Sequence, residues 1–426
     1  MSDNYKQSIP RLRFQSFKTS GPWEFQPLGK LALRSIRKNV GVGVTRVLTN
    51  SAEYGIVDQR DYFEKDIANQ GNLEGYYIVD EGSYVYNPRI SALAPVGPIS
   101  KNKVGLGVMS PLYTVFKFIN SNDDFYAHYF ESTHWHKYMR QVSSTGARHD
   151  RMSISNSAFL ELPLPVSTPE EQKKIADCLS SLDDLLKVEV LKKNTLEDHK
   201  KGLMQQLFPR DDENVPRLRF PAFQGACQWY RKPFEELVVN SFYGTSNSTS
   251  ETGKYPVLRM GNMHNGKLNF SNLAYIDLDA SSFSKMRLFK GDILLNRTNS
   301  LDLVGKIAMF DQDFDCITAS YIVTYRIDQE QVIPEFCNVM LNTPHYQRKI
   351  RALARPSISQ ANINPTTFKK ELVLALPSLD EQQRIVSCFS YVDEQIAAQT
   401  QKIKLLKAHK TGLMQQLFPE SDEVRA

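Results

Sequence analysis

Two long stretches of the chain place apolar residues three or four positions apart among charged and polar ones. In the second stretch these positions are Ile385, Phe389, Val392, Ile396, Ile403, Leu406 and Leu413. Glu189 and Lys193 interrupt the first stretch, which otherwise keeps the same register with Ile175, Leu179, Leu182, Leu186, Leu196 and Leu203. The spacing predicts two amphipathic helices, each with an apolar stripe suited to packing against another long helix.

The expected ends of both helices are marked by capping residues. Residues 168–171 (TPEE) supply a hydroxyl, a proline at the first helical position and a glutamate in the first turn, and residues 378–381 (SLDE) do the same without the proline. Pro209 and Pro419 end the patterns. A helix of about 40 residues would be roughly 60 Å long.

One glycine lies inside each predicted helix, Gly202 in the first and Gly412 in the second. Glycine costs about 1 kcal/mol relative to alanine at such a position. Its presence in both helices predicts a close backbone contact, and a kink would explain it equally well.

The two stretches belong to a long internal repeat. The octapeptide GLMQQLFP occurs at 202–209 and again at 412–419, and the pentapeptide PRLRF occurs at 10–14 and at 216–220. About half of the positions are identical, without a gap, in the block of about forty residues that ends with each octapeptide. The chain is therefore a tandem duplication in which each copy begins at PRLRF and ends at GLMQQLFP.

The segments that precede the two helices differ in sequence but share a skeleton. Short β-rich runs alternate with Gly, Pro and Asn turns, as is typical of strands in a mixed α/β globule. Residues 82–87 (GSYVYN) parallel 291–296 (GDILLN), and 96–99 (VGPI) parallel 304–307 (VGKI). We therefore expect an α+β protein with two globules of one fold and unlike surfaces. The expected boundaries are 1–160 and 211–370 for the globules, and 161–210 and 371–426 for the helical regions.

Composition narrows the class of protein without identifying it. Lys and Arg total 52 against 47 for Asp and Glu, and this net charge of +5 permits a nucleic-acid partner. The five cysteines are scattered without a CxxC pair, so neither a disulfide framework nor a zinc site is expected. Neither a signal peptide nor an apolar run of about eighteen residues is present. We expect a soluble cytoplasmic protein without a membrane partner.

The usual catalytic motifs are missing from the sequence. No stretch matches the phosphate-binding pattern GxxxxGK[ST]. Residues 86–88 (YNP) superficially resemble the Asn-Pro-Pro-aromatic motif of amino-methyltransferases, but Arg89 stands where a second proline is required. We therefore expect no catalytic residues, no cofactor and no metal in this chain.

Two turn-forming clusters of the second globule contain side chains that can read base edges. Arginine pairs with guanine in the major groove, and asparagine pairs with adenine. The same residue types also simply form turns, and that alternative stays open for each of them. The candidates are Arg259, Asn262, Asn296, Arg297, Thr298, Asn299 and Ser300, together with Asn87 and Arg89 at the corresponding place in the first globule.

Basic residues follow in both globules. Their expected functional role is contact with phosphates, which sets position and affinity rather than sequence preference. A solvated helix face is the alternative. The candidates are Arg140, Arg148 and Arg151 in the first globule and Arg348, Lys349, Arg351 and Arg355 in the second.

The chain resembles the specificity subunits of type I restriction-modification enzymes over nearly its whole length. The resemblance rests on the duplicated helix starts at 169–172 (PEEQ) and 379–382 (LDEQ) and on the repeated helix ends KxGLMQQLFP. The strings 258–262 (LRMGN) and 291–300 (GDILLNRTNS) are similar to a target-recognition domain of that family. The first globule departs from this pattern at 86–89 (YNPR), which weakens the assignment of a base contact to Asn87.

The resemblance implies two target-recognition domains, each reading one half of a bipartite, asymmetric site in double-stranded DNA. The two helices would pair as an antiparallel coiled coil that spaces the domains, and similar globules on similar helices would give pseudo-twofold symmetry. The residues implied in coiled-coil packing and subunit docking are Ile175, Leu179, Leu182, Leu203, Ile385, Phe389, Val392, Ile396 and Leu413.

The implied partners, besides DNA, are two methyltransferase subunits, with restriction subunits as a further component, in a bacterial or archaeal cell. S-adenosylmethionine, ATP and Mg²⁺ are implied only for those partner subunits. Two other hypotheses differ in class. A self-sufficient methyltransferase or nuclease is disfavoured by the missing motifs, and a coiled-coil scaffold that binds only protein would differ by not binding DNA.

Overall fold

The computed structural model describes residues 7–63, 73–120, 124–143, 150–211, 213–300, 303–356 and 360–420. The chain divides into two compact units. Unit 1 comprises residues 1–190 and 401–426, and unit 2 comprises residues 191–400. The four-part division expected from the sequence is not followed, because each long helix contributes one end to the core of unit 1 and the other end to the core of unit 2.

Unit 1 is a mixed α/β globule. Its strands are β1 (Gln7–Ser8), β2 (Trp23–Pro27), β3 (Ala32–Ser35), β4 (Leu48–Ser51), β5 (Gly55–Asp58), β6 (Tyr77–Val79), β7 (Tyr84–Tyr86), β8 (Ile99–Lys101), β9 (Gly107–Met109), β10 (Thr114–Phe118) and β11 (Pro163–Val166). Its helices are α1 (Leu28–Leu31), α2 (Gln59–Phe63), α3 (Asp124–Glu131), α4 (His136–Val142), α5 (Asn156–Leu160), the first part of α6 (Pro169–Gln206) and the last part of the second long helix, residues 401–417.

The central sheet of unit 1 has four antiparallel strands in the order β3-β10-β7-β8. Tyr84, Val85 and Tyr86 form an inner strand, and all three are buried, as expected for aromatic and β-branched residues with packing on both faces. Gly82 precedes this strand with φ of 81°, a conformation that other residues rarely adopt. An aromatic core that includes Trp23 lies against the sheet.

Unit 2 is built from most of the second copy together with the end of the first copy. Its strands are β12 (Tyr230–Pro233), β13 (Val238–Tyr243), β14 (Tyr255–Leu258), β15 (Met263–His264), β16 (Lys267–Leu268), β17 (Ala274–Ile276), β18 (Ile293–Asn296), β19 (Thr298–Asn299), β20 (Ile307–Met309), β21 (Ile317–Thr318), β22 (Ile322–Ile327), β23 (Ala354–Pro356), β24 (Ala361–Ile363) and β25 (Val373–Leu376). Its helices are the last part of α6, α7 (Ala280–Met286), α8 (Pro334–Leu341), α9 (Pro344–Ala352), α10 (Pro365–Glu371) and the first part of α11 (Leu379–Leu417).

The central sheet of unit 2 repeats the strand order of unit 1. Its antiparallel strands lie in the order β13-β22-β18-β20, in which the first strand of the sheet along the chain again pairs with the last. Gly291 has φ of 94° and precedes β18, the counterpart of β7. The paired skeletons in the sequence therefore predicted a shared sheet correctly. Outside it the units differ, since unit 2 has the three-stranded sheet β17-β14-β21 and unit 1 has the hairpin β4-β5.

The long helices have the predicted starts and lengths, but the first-turn glutamates have a different role. α6 has 38 residues and α11 has 39. The Thr168 hydroxyl accepts from the backbone N–H of Glu171, as a cap should. The Glu171 carboxylate, however, is fully buried and accepts from the guanidinium of Arg13 and the indole of Trp23 at 2.7–3.0 Å. This glutamate therefore fastens the helix to unit 1.

Unit 2 contains the same fastening. Glu381 of α11 is buried and accepts from Arg219 at 2.7 and 2.8 Å and from the Trp229 indole at 3.4 Å. Burying a carboxylate is costly unless it is paired and hydrogen-bonded, and here both conditions hold. We refer to these two arrangements as the glutamate clamps.

Within each unit, segments of α6 and α11 run in opposite directions. In unit 1, Asp183 pairs with Lys410, and the later Glu189 pairs with the earlier Lys402. In unit 2, Lys200 pairs with Asp393 at 2.7 Å, which repeats the Asp183–Lys410 contact with the two helices exchanged.

Candidate nucleic-acid interface

The structure brings the two turn-forming clusters of the second copy together in unit 2. The first cluster follows β14, and the second follows β18. Asn299 links them, because its Nδ2 lies 3.1 Å from the sulfur of Met260. The two clusters are far apart in sequence but are in contact in unit 2.

Two of the predicted base readers are buried in this surface. Asn262 accepts from the backbone N–H of Arg259 at 2.8 Å and donates to the carbonyls of Asn269 and Asn272. Asn296 is fully buried at the end of β18. The base-reading assignment is wrong for both residues in this conformation, because their amides lie inside the fold and, for Asn262, hold the turns in place. Asn262 therefore belongs to a turn, the alternative stated above for these residue types, and Asn296 is a buried residue of strand β18.

Arg297 is held in a different way. Its backbone N–H donates to the carbonyl of Tyr321, and its carbonyl accepts from Ile363, so the main chain is fixed on both sides. The guanidinium lies over the ring of Tyr243, 5.4 Å from the ring centroid. Its Nε is buried and has no acceptor among the described residues. Tyr243 thus orients a cation whose hydrogen-bonding capacity is not fully used within the fold.

The remaining candidates of unit 2 lie beside Arg297. Thr298 and Asn299 form β19, which pairs with β24, and the Thr298 hydroxyl donates to the Oδ1 of Asn362. Arg259 is half-buried, and Ser300 is exposed and donates its N–H to Asn299. Asn362 was not predicted, since a single asparagine in a strand gives no signal in the sequence.

In unit 1 the turn after β7 contains Asn87 and Arg89. The Asn87 amide donates to the carbonyl of Asn50 at 2.9 Å and accepts from the N–H of Arg89 at 3.0 Å, so it serves the turn. The Arg89 side chain is 63% exposed. It lines a cleft of about 510 Å³ together with Tyr113 and Arg151.

The predicted phosphate contacts of unit 1 lie in different places. Arg151 lies beside Arg89 in that cleft. Arg140 is exposed near the end of α4 and lines a second cleft of about 1070 Å³ with Lys103 and Lys137, which are also exposed. Burial, reinforced by Arg140, lowers the pKa of His136 in this cleft to about 4, so the imidazole is neutral at neutral pH. Arg148 lies outside the described residues.

In unit 2, three of the four predicted phosphate contacts are exposed. Arg348 and Arg351 lie on α9, and Arg355 lies on β23. Lys349 is different, because its ammonium forms an ion pair with Asp211 and lies over the ring of Tyr346. That pairing leaves Lys349 a poorer phosphate contact than its neighbours on the same helix.

Most of the residues assigned to coiled-coil packing or docking are buried within the units. Ile175 and Leu179 belong to the core of unit 1, and Ile385 and Phe389 belong to the core of unit 2. They attach the helices to the globules and present no surface to a partner, so docking is the wrong role for them. Val392 is buried as well, and the half-buried positions are Leu182, Leu203, Ile396 and Leu413.

Gly202 and Gly412 lie in open space. A methyl group built on either Cα would meet no atom within 4 Å beyond its chain neighbours and its own helix backbone. The close contact expected from the sequence is therefore absent within the described residues. The same helix face presents exposed histidines three residues earlier and exposed glutamines four residues later, in identical positions of both copies: His199, His409, Gln206 and Gln416.

One group of potential metal ligands lies in unit 1. His128, Glu131 and Asp183 place ligand atoms within 4.8 Å of one another. The ammonium of Lys410 lies between these carboxylates, with its Nζ 2.5 Å from an oxygen of Glu131 and 2.5 Å from an oxygen of Asp183. The ammonium satisfies the two acids, and the equivalent Lys200–Asp393 contact of unit 2 indicates that the pair is structural.

Among the described helices, none is both long and apolar enough to cross a lipid bilayer.

Comparison with known proteins identifies the family. Residues 48–198 and 239–408 each match the type I restriction modification DNA specificity domain, so the chain belongs to that family and contains the domain twice. The predicted tandem duplication and the predicted family are thereby confirmed.

Similar proteins are found among both curated sequences and solved structures. The EcoKI specificity subunit of Escherichia coli K12 is 23% identical over 298 residues, which cover 67% of this chain and 61% of that protein. The curated relatives that the chain matches are covered over 44% to 65% of their own lengths.

Two solved structures show the same fold over almost the whole chain. The crystal structure of a type I restriction-modification S subunit from M. genitalium has a TM-score of 0.51 at 12% identity, covering 97% of this chain and all of the other. A chain from a structural study of complex assembly in a type I system has a TM-score of 0.58 at 14% identity, covering 97% and 98%.

Proposed function

We propose that this chain is the DNA sequence-recognition subunit of a type I restriction-modification complex and has no catalytic activity of its own. Each unit reads one half of a bipartite, asymmetric site. The observation that supports this most directly is the contrast between matched scaffolds and unmatched surfaces. Both units have the same central strand order and the same glutamate clamp, yet they present different side chains at the end of the inner strand.

Unlike surfaces on equal scaffolds suit two different half-sites. Unit 1 presents Arg89 and Arg151 in a cleft, whereas unit 2 presents Arg297 over Tyr243 beside Thr298. Exposed arginines near both surfaces supply the sequence-independent attraction to phosphates that DNA-binding proteins need. An enzyme with two active sites would instead require the same reactive groups in both units.

The repeated helix face supports the proposal that two copies of one partner dock on this chain. His199, Gly202 and Gln206 share one face, and the second copy presents identical residues at the same spacing. A helix glycine with open space around it is unfavourable for the free chain, but it allows the backbone of another helix to approach closely. We propose that a methyltransferase subunit occupies this face in each copy and brings the S-adenosylmethionine.

We further propose that the paired α6 and α11 segments form an antiparallel coiled coil that sets the spacer between the half-sites. Support comes from the opposed ion pairs within each unit, Asp183–Lys410 in unit 1 and Lys200–Asp393 in unit 2. Half-sites read from one face of B-DNA recur about every 34–36 Å, and a rigid helix pair could match such a distance.

Methylome sequencing tests the proposal. The chain would be expressed with its methyltransferase subunit in a strain that lacks other DNA methylation, with each protein expressed alone as the control. The expected result is methylation at one bipartite motif that requires both proteins. Methyl transfer by the chain alone would contradict the non-catalytic role. Methylation by the assembled complex without preference among sequences would contradict the recognition role.

A further inference from the structure

A short antiparallel bridge occupies the same place in both units. In unit 1, Arg89 lies three residues after the end of the inner strand β7 and two residues after Asn87, and it pairs with Arg151. In unit 2, Thr298 lies two residues after Asn296, which ends β18 and corresponds to Asn87 in the repeat, and it pairs with Asn362. Because β7 and β18 hold the same position in their sheets, the two bridges are equivalent parts of the scaffold.

The return segments of the bridges also correspond. Arg151 is followed by the N-cap Ser155, helix α5 and strand β11, which leads into α6. Asn362 is followed by the N-cap Asn364, helix α10 and strand β25, which leads into α11. Each bridge is thus anchored on one side by the central sheet and on the other by a capped helix, so its side chains are held on rigid backbone.

The chemistry of the bridge differs between the units. Arg89 and Arg151 are both cationic and are 63% and 25% exposed, and their Nε atoms lie 3.8 and 3.9 Å from Asp150, beyond hydrogen-bonding distance. In unit 2 the pair is neutral. The Thr298 hydroxyl donates to the Oδ1 of Asn362, which leaves the Asn362 Nδ2 as a donor without an acceptor among the described residues.

We propose that this bridge contains the specificity-determining pair of each unit, an inference that rests on the proposed function. In unit 1, Arg89 and Arg151 present several N–H donors, which match the N7 and O6 acceptors of guanine in the major groove. In unit 2, Asn362 presents one amide donor and Thr298 one methyl group, which match the acceptor and the methyl group of an A·T pair. In this proposal Arg151 reads a base, whereas the sequence predicted a phosphate contact for it. Asn362 is an additional base-reading residue.

The test is methylome sequencing of the complex with its methyltransferase subunit, using Arg151→Gln and Asn362→Asp as separate variants. Arg151→Gln should relax a guanine position in one half-site by about ten- to a hundred-fold and leave the other half-site unchanged. Asn362→Asp replaces the free donor by acceptors, so it should weaken methylation of the original motif and change the preferred base in the other half-site.

Arg355→Gln is the matched control, because Arg355 pairs with Asn362 on the neighbouring strand β23. This variant should lower methylation at all sites without altering the motif. Retention of the wild-type motif by both Arg151→Gln and Asn362→Asp, in complexes that methylate normally, would overturn the inference. So would a general loss of methylation with an unchanged motif in folded variants, since that outcome identifies phosphate contacts. A wild-type complex without any motif would instead contradict the proposed function.

Discussion

Replacing Gly202 and Gly412 by alanine should stabilise the free chain and weaken its binding to the methyltransferase subunit. Both glycines are helical, neither has a positive φ, and an added Cβ meets no neighbouring atom within 4 Å. Alanine in such a position stabilises a protein by about 0.4–1 kcal/mol, chiefly by restricting the unfolded chain. Since the two glycines lie in different units, each substitution should raise the Tm of its own unit by about 1–4 °C.

Binding should change in the opposite direction. If the backbone of a partner helix packs against each glycine, a methyl group there costs about 1–3 kcal/mol per site through overpacking. That corresponds to a loss of affinity of about 5- to 150-fold. Isothermal titration of the purified chain with the methyltransferase subunit measures it, and thermal denaturation of the free chain measures the stabilisation.

Lys201→Ala is the control, because this exposed position is lysine in one copy and threonine in the other. It should leave binding unchanged. A higher Tm of the free Gly202→Ala chain, together with an unaltered affinity for the methyltransferase subunit, would refute the docking role of this face. A lower Tm for the free chain would refute the conclusion that the glycine has open space around it.

The remaining predictions concern the clamps, the spacer and pH. Glu381→Ala leaves the buried guanidinium of its clamp unpaired and should destabilise unit 2 by about 3–5 kcal/mol in urea unfolding, whereas Glu381→Gln should cost less; equal losses would contradict the ion pair. Inserting one helical turn near Asn194 should lengthen the spacer of the methylated motif, and an unchanged spacer would contradict the role of the helices as a ruler. Burial opposes ionisation of Glu131, but His128 and Lys410 outweigh it and lower its pKa from 4.5 to about 2. A lowered pKa stabilises the fold above pH 4.5, and this contribution is lost as the pH falls towards 2. The side chain is 47% exposed, so screening limits the effect to about 1 kcal/mol. Glu131→Gln should flatten that part of the stability profile, and an unaltered profile would contradict the assignment.

The helices and the duplication could be predicted because their signals are local. Caps and apolar spacing each lie within a few residues, and the duplication is seen by direct comparison of two continuous stretches of sequence. The partner of Glu171 could not be predicted in this way, because Arg13 is 158 residues away and a capping glutamate has the same sequence pattern as a clamping one. Only the fold brings the two together.

The candidate nucleic-acid interface shows the same difference between features that depend on neighbouring residues and features that depend on distant ones. Asn and Arg in turns predicted a base-reading surface after β18, and in the structure Asn296 is buried whereas Arg297 beside it is half-buried. Asn296 is the last residue of β18 and Arg297 follows it, and the sequence does not say which side chains at the end of a strand the rest of the fold covers. Asn362 was missed because its significance comes from the strand it pairs with. Gly202 is unusual already in the sequence, but the open space around it depends on the packing of residues far away in the chain.

Unit 1 is formed by two separate segments of the chain, and this has a consequence for biosynthesis. Its core includes Leu417 and Phe418, and the N–H of Leu12 donates to the carbonyl of Gln416, so the unit closes only when the segment after residue 400 joins the segment before residue 191. Unit 2 is continuous in sequence. At about 5–20 residues per second, a ribosome needs on the order of ten to fifty seconds to extend the chain from residue 190 to residue 418. Unit 1 therefore begins to emerge before unit 2 but is completed after it, and during that interval its unfinished apolar core is a natural target for chaperones.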